Sequence, residues 1–84
     1  MSLIQATIEA LSEGPRSIPR IAAYFTDGQA TGTGQEDTSG GRTLIYLTLT
    51  GFSGETVRRF GDQLHKEFAV DGVKYRITRF TIDI

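Results

Sequence analysis

The 84-residue chain has no cysteine and no tryptophan, a single histidine and only two prolines. Without cysteine there is no disulfide framework and no thiolate metal site, and nothing implies secretion. One histidine, His65, excludes HExxH and every other His-pair metal motif. No apolar run approaches the ~20 residues needed to cross a bilayer, and the first residues lack the basic and apolar regions of a secretory leader. The expectation is a soluble protein made in the cytoplasm, with no membrane partner. A strong charge of one sign is missing too, the formal net charge being −1. The charges are unevenly spread: residues 1–41 carry two basic and five acidic side chains, residues 42–84 seven basic and five acidic. That tilt is too mild to be a nucleic-acid footprint by itself. The length makes one domain, 1–84, with an economical core and a stability of roughly 4–12 kcal/mol.

What the chain does contain is organised around residues 42–68. Ile45, Leu47 and Leu49 alternate with Tyr46, Thr48 and Thr50, which predicts a half-buried strand. From Val57 the period changes, and Val57, Phe60, Gly61, Leu64 and Phe68 recur at helical spacing. Ser53 stands at the N-cap position, its hydroxyl able to accept from an early helical N–H, and Glu55 suits the positive end of the helix dipole. Gly61 falls on the apolar face, which predicts close approach of this helix to the sheet.

The flanks are less decided. In residues 3–13, Ile4, Ala6, Ile8 and Ala10 alternate like a strand, while Ile4, Ile8 and Leu11 fit a helical stripe. The capping-box spacing of Ser2 and Gln5, the Gly14-Pro15 stop and the composition predict a helix. Pro19 makes residues 16–20 extended, and 20–26 then reads as a strand with Ile21, Ala23 and Phe25 inward. The rival there is a short helix using Ile18, Ile21, Ala22 and Phe25. Residues 27–41, DGQATGTGQEDTSGG, hold no large apolar side chain and predict a flexible Gly-rich loop. A turn at Val70-Asp71-Gly72-Val73 leads into the last strand, 73–84. There Val73, Tyr75 and Ile77 share one face, but Phe80, Ile82 and Ile84 share the other. Either a β-bulge near Thr78-Arg79 restores one face, or the far half buries its apolar side elsewhere. The predicted fold is α+β, a two-layer sandwich of order α-β-β-α-β, with two helices on one face of a small, mainly antiparallel sheet.

No catalytic constellation emerges. His65 reads as a surface or boundary residue, because a general base needs an orienting partner and a pocket. Ser12, Ser17, Ser39 and Ser53 lie in no nucleophile elbow. The Thr31-Gly32-Thr33-Gly34 run lacks the Lys-Ser/Thr ending of a phosphate loop, and Glu36 with Asp37 offers too few ligands for calcium. The chain is therefore expected to be no enzyme and to need no cofactor or metal. Arg58, Arg59, Lys74, Arg76 and Arg79 form a basic set that could serve a small nucleic-acid-binding domain, with Tyr46 and Tyr24 the only plausible stacking aromatics. Much of the helical charge is also explained by the i,i+4 pairs Arg58–Asp62, Asp62–Lys66 and Glu55–Arg59.

The order of these elements resembles the tail terminator (tail completion) proteins of long-tailed phages. The points of likeness run along the chain: LIQATIEALSE as a leading helix, the Pro-containing entry Ile18-Pro19 into a strand, the polar loop 27–41, the strand 43–50, the helix 54–68, and Tyr75-Arg76-Ile77-Thr78 in the closing strand. The resemblance implies a non-enzymatic structural protein whose subunits form a ring, commonly of six. Such a ring caps the finished tail tube and later meets other tail or head–tail proteins, so its place would be the cytoplasm and then the virion. If no bulge intervenes, Phe80, Ile82 and Ile84 make a contiguous exposed apolar patch, which predicts a contact between neighbouring subunits. Asp27, Gly32, Gly34, Glu36 and Asp37 would belong to a docking loop that orders on assembly.

Overall fold

In the computed structural model, which describes residues 2–26 and 31–83, the order of elements is β-α-β-β-α-β-β. They are β1 (Leu3–Ala10), α1 (Ile18–Thr26), β2 (Thr31–Ser39), β3 (Arg42–Thr50), α2 (Gly54–Gln63), β4 (Glu67–Val70) and β5 (Val73–Asp83). The five strands form one antiparallel sheet in the order β2-β3-β1-β5-β4, with the helices on one face. The class is α+β, as expected. Without β4 the path is two interleaved split βαβ units, β1-α1-β2 and β3-α2-β5.

Three stretches change type relative to the sequence reading. Residues 3–13 begin with a central strand and not a helix. Ile4, Ala6 and Ile8 are buried, and every residue of β1 is paired on both sides, with β3 and β5. Two ladders outweigh a helix preference of a few tenths of a kcal/mol per residue. Residues 20–26 belong to a helix and not a strand. Pro19 lies in the first turn of α1, where its missing N–H removes no intrahelical bond, and Ile21, Ala22 and Phe25 face the core.

The third change is in the Gly-rich segment. Its residues 31–39 form a regular edge strand paired with β3 throughout, and only 27–30, with Asp27, fall outside the described residues. The strand lacks apolar residues because α1 lies directly on it. A Cβ on Gly32 would stand 2.5 Å from that of Ala22, and one on Gly34 would stand 2.9 Å from the Tyr46 carbonyl oxygen. Glycine here records close contact and not looseness.

The predicted strand at 42–50 and the hairpin turn stand as expected. Ile45, Leu47 and Leu49 are buried, while Tyr46 points away from the core. Asp71 and Gly72 both have positive φ, 51° and 82°, the geometry of a two-residue hairpin turn. The bulge is present: Thr7 pairs with Arg79 and Ile8 with Ile77, leaving Thr78 as the extra residue. The Thr78 hydroxyl donates to the Thr7 carbonyl at 3.2 Å. Phe80 and Ile82 therefore return to the helix-bearing face, opposite Ala6 and Ile4, and no second apolar face forms. Phe80 packs against Phe60, with ring centroids 5.5 Å apart.

The helix α2 ends at Gln63, earlier than expected, and Phe68 reaches the core from β4 instead. Ser53 occupies the N-cap position but makes no side-chain cap; its carbonyl accepts from Thr56 and Val57. Gly61 is exposed, and nothing lies within 4 Å of where its Cβ would be, so the close approach predicted there is absent. His65 lies past the helix end with φ 66°, where its N–H donates to the Ile77 carbonyl at 2.9 Å. Its visible role is to turn the chain into β4.

The core is one cluster joining Ile4, Ile8, Ile21, Phe25, Leu47, Phe60, Tyr75 and Ile77, with Phe25 stacked on Phe60 at 4.1 Å. Helix α1 touches both sheet edges. On one side it meets Gly32 and Gly34 of β2; on the other, Tyr24 stacks on Phe68 of β4 at 4.9 Å. Arg20 adds two bonds to the Asp71 carboxylate, each 3.0 Å. Strands four places apart in the sheet can share one helix only if the sheet curls around it.

Candidate functional site

The curl buries one sheet face and leaves the other without a covering layer. Register lines up the residues of that open face in rows across the strands. One row runs Gln35, Tyr46, Thr7, Arg79; the next runs Thr33, Thr48, Gln5, Thr81. A third runs Asp37, Leu44, Glu9, Arg76, Glu67. The first two rows present hydroxyls, amides, one phenol and one guanidinium, a surface built for hydrogen bonding.

Tyr46 is the centre of this surface and is 44% exposed. It forms a wall between two shallow depressions. The larger, of about 320 Å³, is lined by Gln5, Thr7, Tyr46, Thr48, Arg79 and Thr81. The other, of about 250 Å³, is lined by Thr33, Gln35, Tyr46 and Thr48. Two strand spacings separate Tyr46 from Arg79, about 10 Å between their backbones.

The cations of the expected basic set divide between the two layers. Lys74, Arg76 and Arg79 stand on β5 on the open face, whereas Arg58 and Arg59 stand on α2 in the helical layer. Arg76 lies 4.0 Å from Glu67, and Arg42 lies 3.2 Å from Glu9. Lys74 and Arg79 make no ion pair among the described residues. On α2, Arg58 lies 4.0 Å from Glu55, an i,i+3 pair, and Arg59 donates to the Tyr24 carbonyl at 3.3 Å. Tyr24 is committed to Phe68 on the opposite side of the sheet from Tyr46, so the two tyrosines cannot form one platform.

The residues expected in a docking loop are likewise separated. Gly32 and Gly34 lie under α1, Glu36 pairs with Arg16, and Asp37 stands on the open face opposite Leu44. Of the expected interface residues, Phe80 is half-buried in the core, Ile82 is 36% exposed at the far end of β5, and Ile84 lies outside the described residues.

Titration shifts concentrate away from the open face. The Arg20 hydrogen bonds hold the Asp71 carboxyl below its ordinary range, and Asp71 in turn raises Arg20. Burial pushes the Tyr75 phenol up. Among the described residues no group of three or more His, Asp or Glu side chains could hold a metal ion, and no helix is long and apolar enough to cross a membrane.

Sequence reading weighed Tyr46 and the β5 cations in one nucleic-acid-binding hypothesis but did not place them on one sheet face. Their common face depends on Gln5 and Thr7 of β1, and on Thr33 and Gln35 of β2, two segments read as helix and loop. The alternation of Gln5, Thr7 and Glu9 against Ile4, Ala6 and Ile8 was the available signal. The chain matches no protein-family model, no curated protein and no solved structure.

Proposed function

We propose that the chain is a non-enzymatic binding module that takes a short single-stranded nucleic-acid segment across its open sheet face. The observation behind the reading is the exposed ring of Tyr46 in the middle of a hydroxyl- and amide-rich surface, in one depression with Arg79, which makes no ion pair among the described residues. A base stacked on the Tyr46 ring places its neighbouring phosphate toward Arg79 on β5, and Lys74, five residues away on the same strand and face, meets a more distant phosphate of the segment. Thr7, Gln5 and Thr48 offer hydrogen bonds to base edges and sugar. Stacking of one base is worth about 1–3 kcal/mol, and the net charge of −1 adds no long-range attraction, so binding is weak and local. Arg58 and Arg59 play no part.

Fluorescence anisotropy of a labelled oligonucleotide tests this. With two phosphates neutralised, log K should fall with log salt at a slope of about −1.4. Tyr46→Ala should weaken binding about 5- to 150-fold. Affinity indifferent to salt and to Tyr46 would overturn the reading.

A second reading, ring assembly of the phage tail terminator kind, has one observation in its favour. Among the described residues both sheet edges, β2 and β4, are free of further strands, so copies could add head to tail. The leading helix on which the resemblance relied is β1 in the structure. Closed rings in negative-stain micrographs would support this reading over the first.

A further inference from the structure

The β2 strand pairs with β3 along one edge, and its other edge meets no strand among the described residues. Nine residues long, it contains no proline, lysine or arginine and no bulge, and of the devices that usually block an exposed edge it carries only the charges of Glu36 and Asp37. From Thr33 to Ser39 all its residues are exposed. The opposite edge, β4, is only four residues long. We infer that the free edge of β2 pairs antiparallel with the same edge of a second copy of this chain, about a two-fold axis at Gln35.

Two considerations fix that register. Gln35 is the midpoint of Thr31–Ser39, so only this axis pairs the whole strand with itself. An axis at Glu36 or Asp37 would set a carboxylate directly against its own image, which opposes pairing. Centred on Gln35, Asp37 faces Thr33 of the second copy, and Glu36 faces its Gly34.

Helix α1 provides the second argument. It covers one half of β2, with Ala22 over Gly32 and Ile18 over Gly34. Beyond Gly34, Glu36 pairs with Arg16, which precedes the helix. The two-fold sets each α1 beside the other half of the second copy's strand, so the helices are offset along the strands. It also brings Glu36 of the second copy to the first turn of α1, which carries no acidic residue of its own.

The result is a ten-stranded sheet with one open face. The two Tyr46 rings then lie in one row, three strand spacings apart, about 14 Å. Because both copies use the same edge, the assembly closes as a dimer and does not extend into a ring. The pairing does not depend on what the open face binds.

Sedimentation equilibrium over a wide concentration range tests the inference on the whole chain. The parent protein should reach a dimer and go no further. Thr33→Asp sets a carboxylate against Asp37 of the second copy, twice per dimer, and should weaken dimerisation about 2- to 30-fold. Thr33→Lys should strengthen it by a similar factor. Thr33 is exposed, so both variants should fold, which thermal melts verify. Ala69→Asp and Ala69→Lys, on the exposed outer side of β4, should leave the equilibrium unchanged. A monomer at every concentration, assemblies larger than a dimer, sensitivity at Ala69, or a dimer indifferent to both Thr33 charges would each overturn the inference.

Discussion

The same helix meets the two outer strands of the sheet in opposite ways. At β4, α1 meets bulk: Phe68 and Val70 face inward, Tyr24 stacks on Phe68, and Phe25 and Tyr75 close around it. At β2, α1 meets no bulk, because Gly32 and Gly34 bring the strand backbone up to Ala22 and Ile18. Apolar burial stabilises the first edge, whereas close backbone contact shapes the second. Sequence composition reveals burial and is nearly silent about close contact.

Removing bulk from the β4 edge should have the largest effect. Phe68→Ala empties the space between Tyr24, Phe25 and Tyr75 and should cost about 3–5 kcal/mol in denaturant unfolding. That is a large share of the roughly 4–12 kcal/mol that a domain of this size holds, so the variant should unfold at a markedly lower temperature than the parent. Adding bulk at the β2 edge should cost less. Gly32→Val drives a side chain into Ala22 and Leu49, an overpacking loss of about 1–3 kcal/mol by the same measurement. If residues 31–39 were the flexible loop their composition suggests, Gly32→Val would change nothing.

That contrast marks how far the sequence could be read. The alternation of Ile45, Leu47 and Leu49 in β3 and the Asp71-Gly72 turn were legible, because period and turn chemistry are local signals. The same alternation in β1 lost to cap and stop signals, which mark the ends of strands as readily as those of helices. Pro19 misled because it breaks a helix interior but suits a first turn. The parity change in β5 was visible; its resolution, Thr78 as the extra residue opposite Thr7 and Ile8, required the pairing partner. The candidate site was half legible: Tyr46 and Arg79 could be named, but their common face depended on the neighbours they are paired with.

A smaller effect of opposite sign comes from the third glycine. Gly61 touches nothing, unlike Gly32, so Gly61→Ala should stabilise the protein by about 1 kcal/mol through helix propensity alone. Thermal unfolding reads this as a raised Tm; a lowered one would place Gly61 in a contact. The smallest effect belongs to the Arg20–Asp71 pair that pins α1 to the β4 turn. Because Asp71 has its carboxyl lowered in the folded state, its contribution is present above the unfolded carboxylate value, near 3.9, and fades as pH falls through the folded one. Stability of the parent should therefore decline slightly more than that of Asp71→Asn below about pH 4. Identical acid profiles would show that the pair is spent on geometry alone.

The claim that the open face around Tyr46 is the working surface is tested most directly by mapping amide chemical shifts while a short single-stranded oligonucleotide is added. The account predicts shifts concentrated at Gln5, Thr7, Tyr46, Thr48, Arg79 and Thr81, across three strands and on one face. Shifts confined to Arg58 and Arg59 on α2, or none at any site, would contradict it.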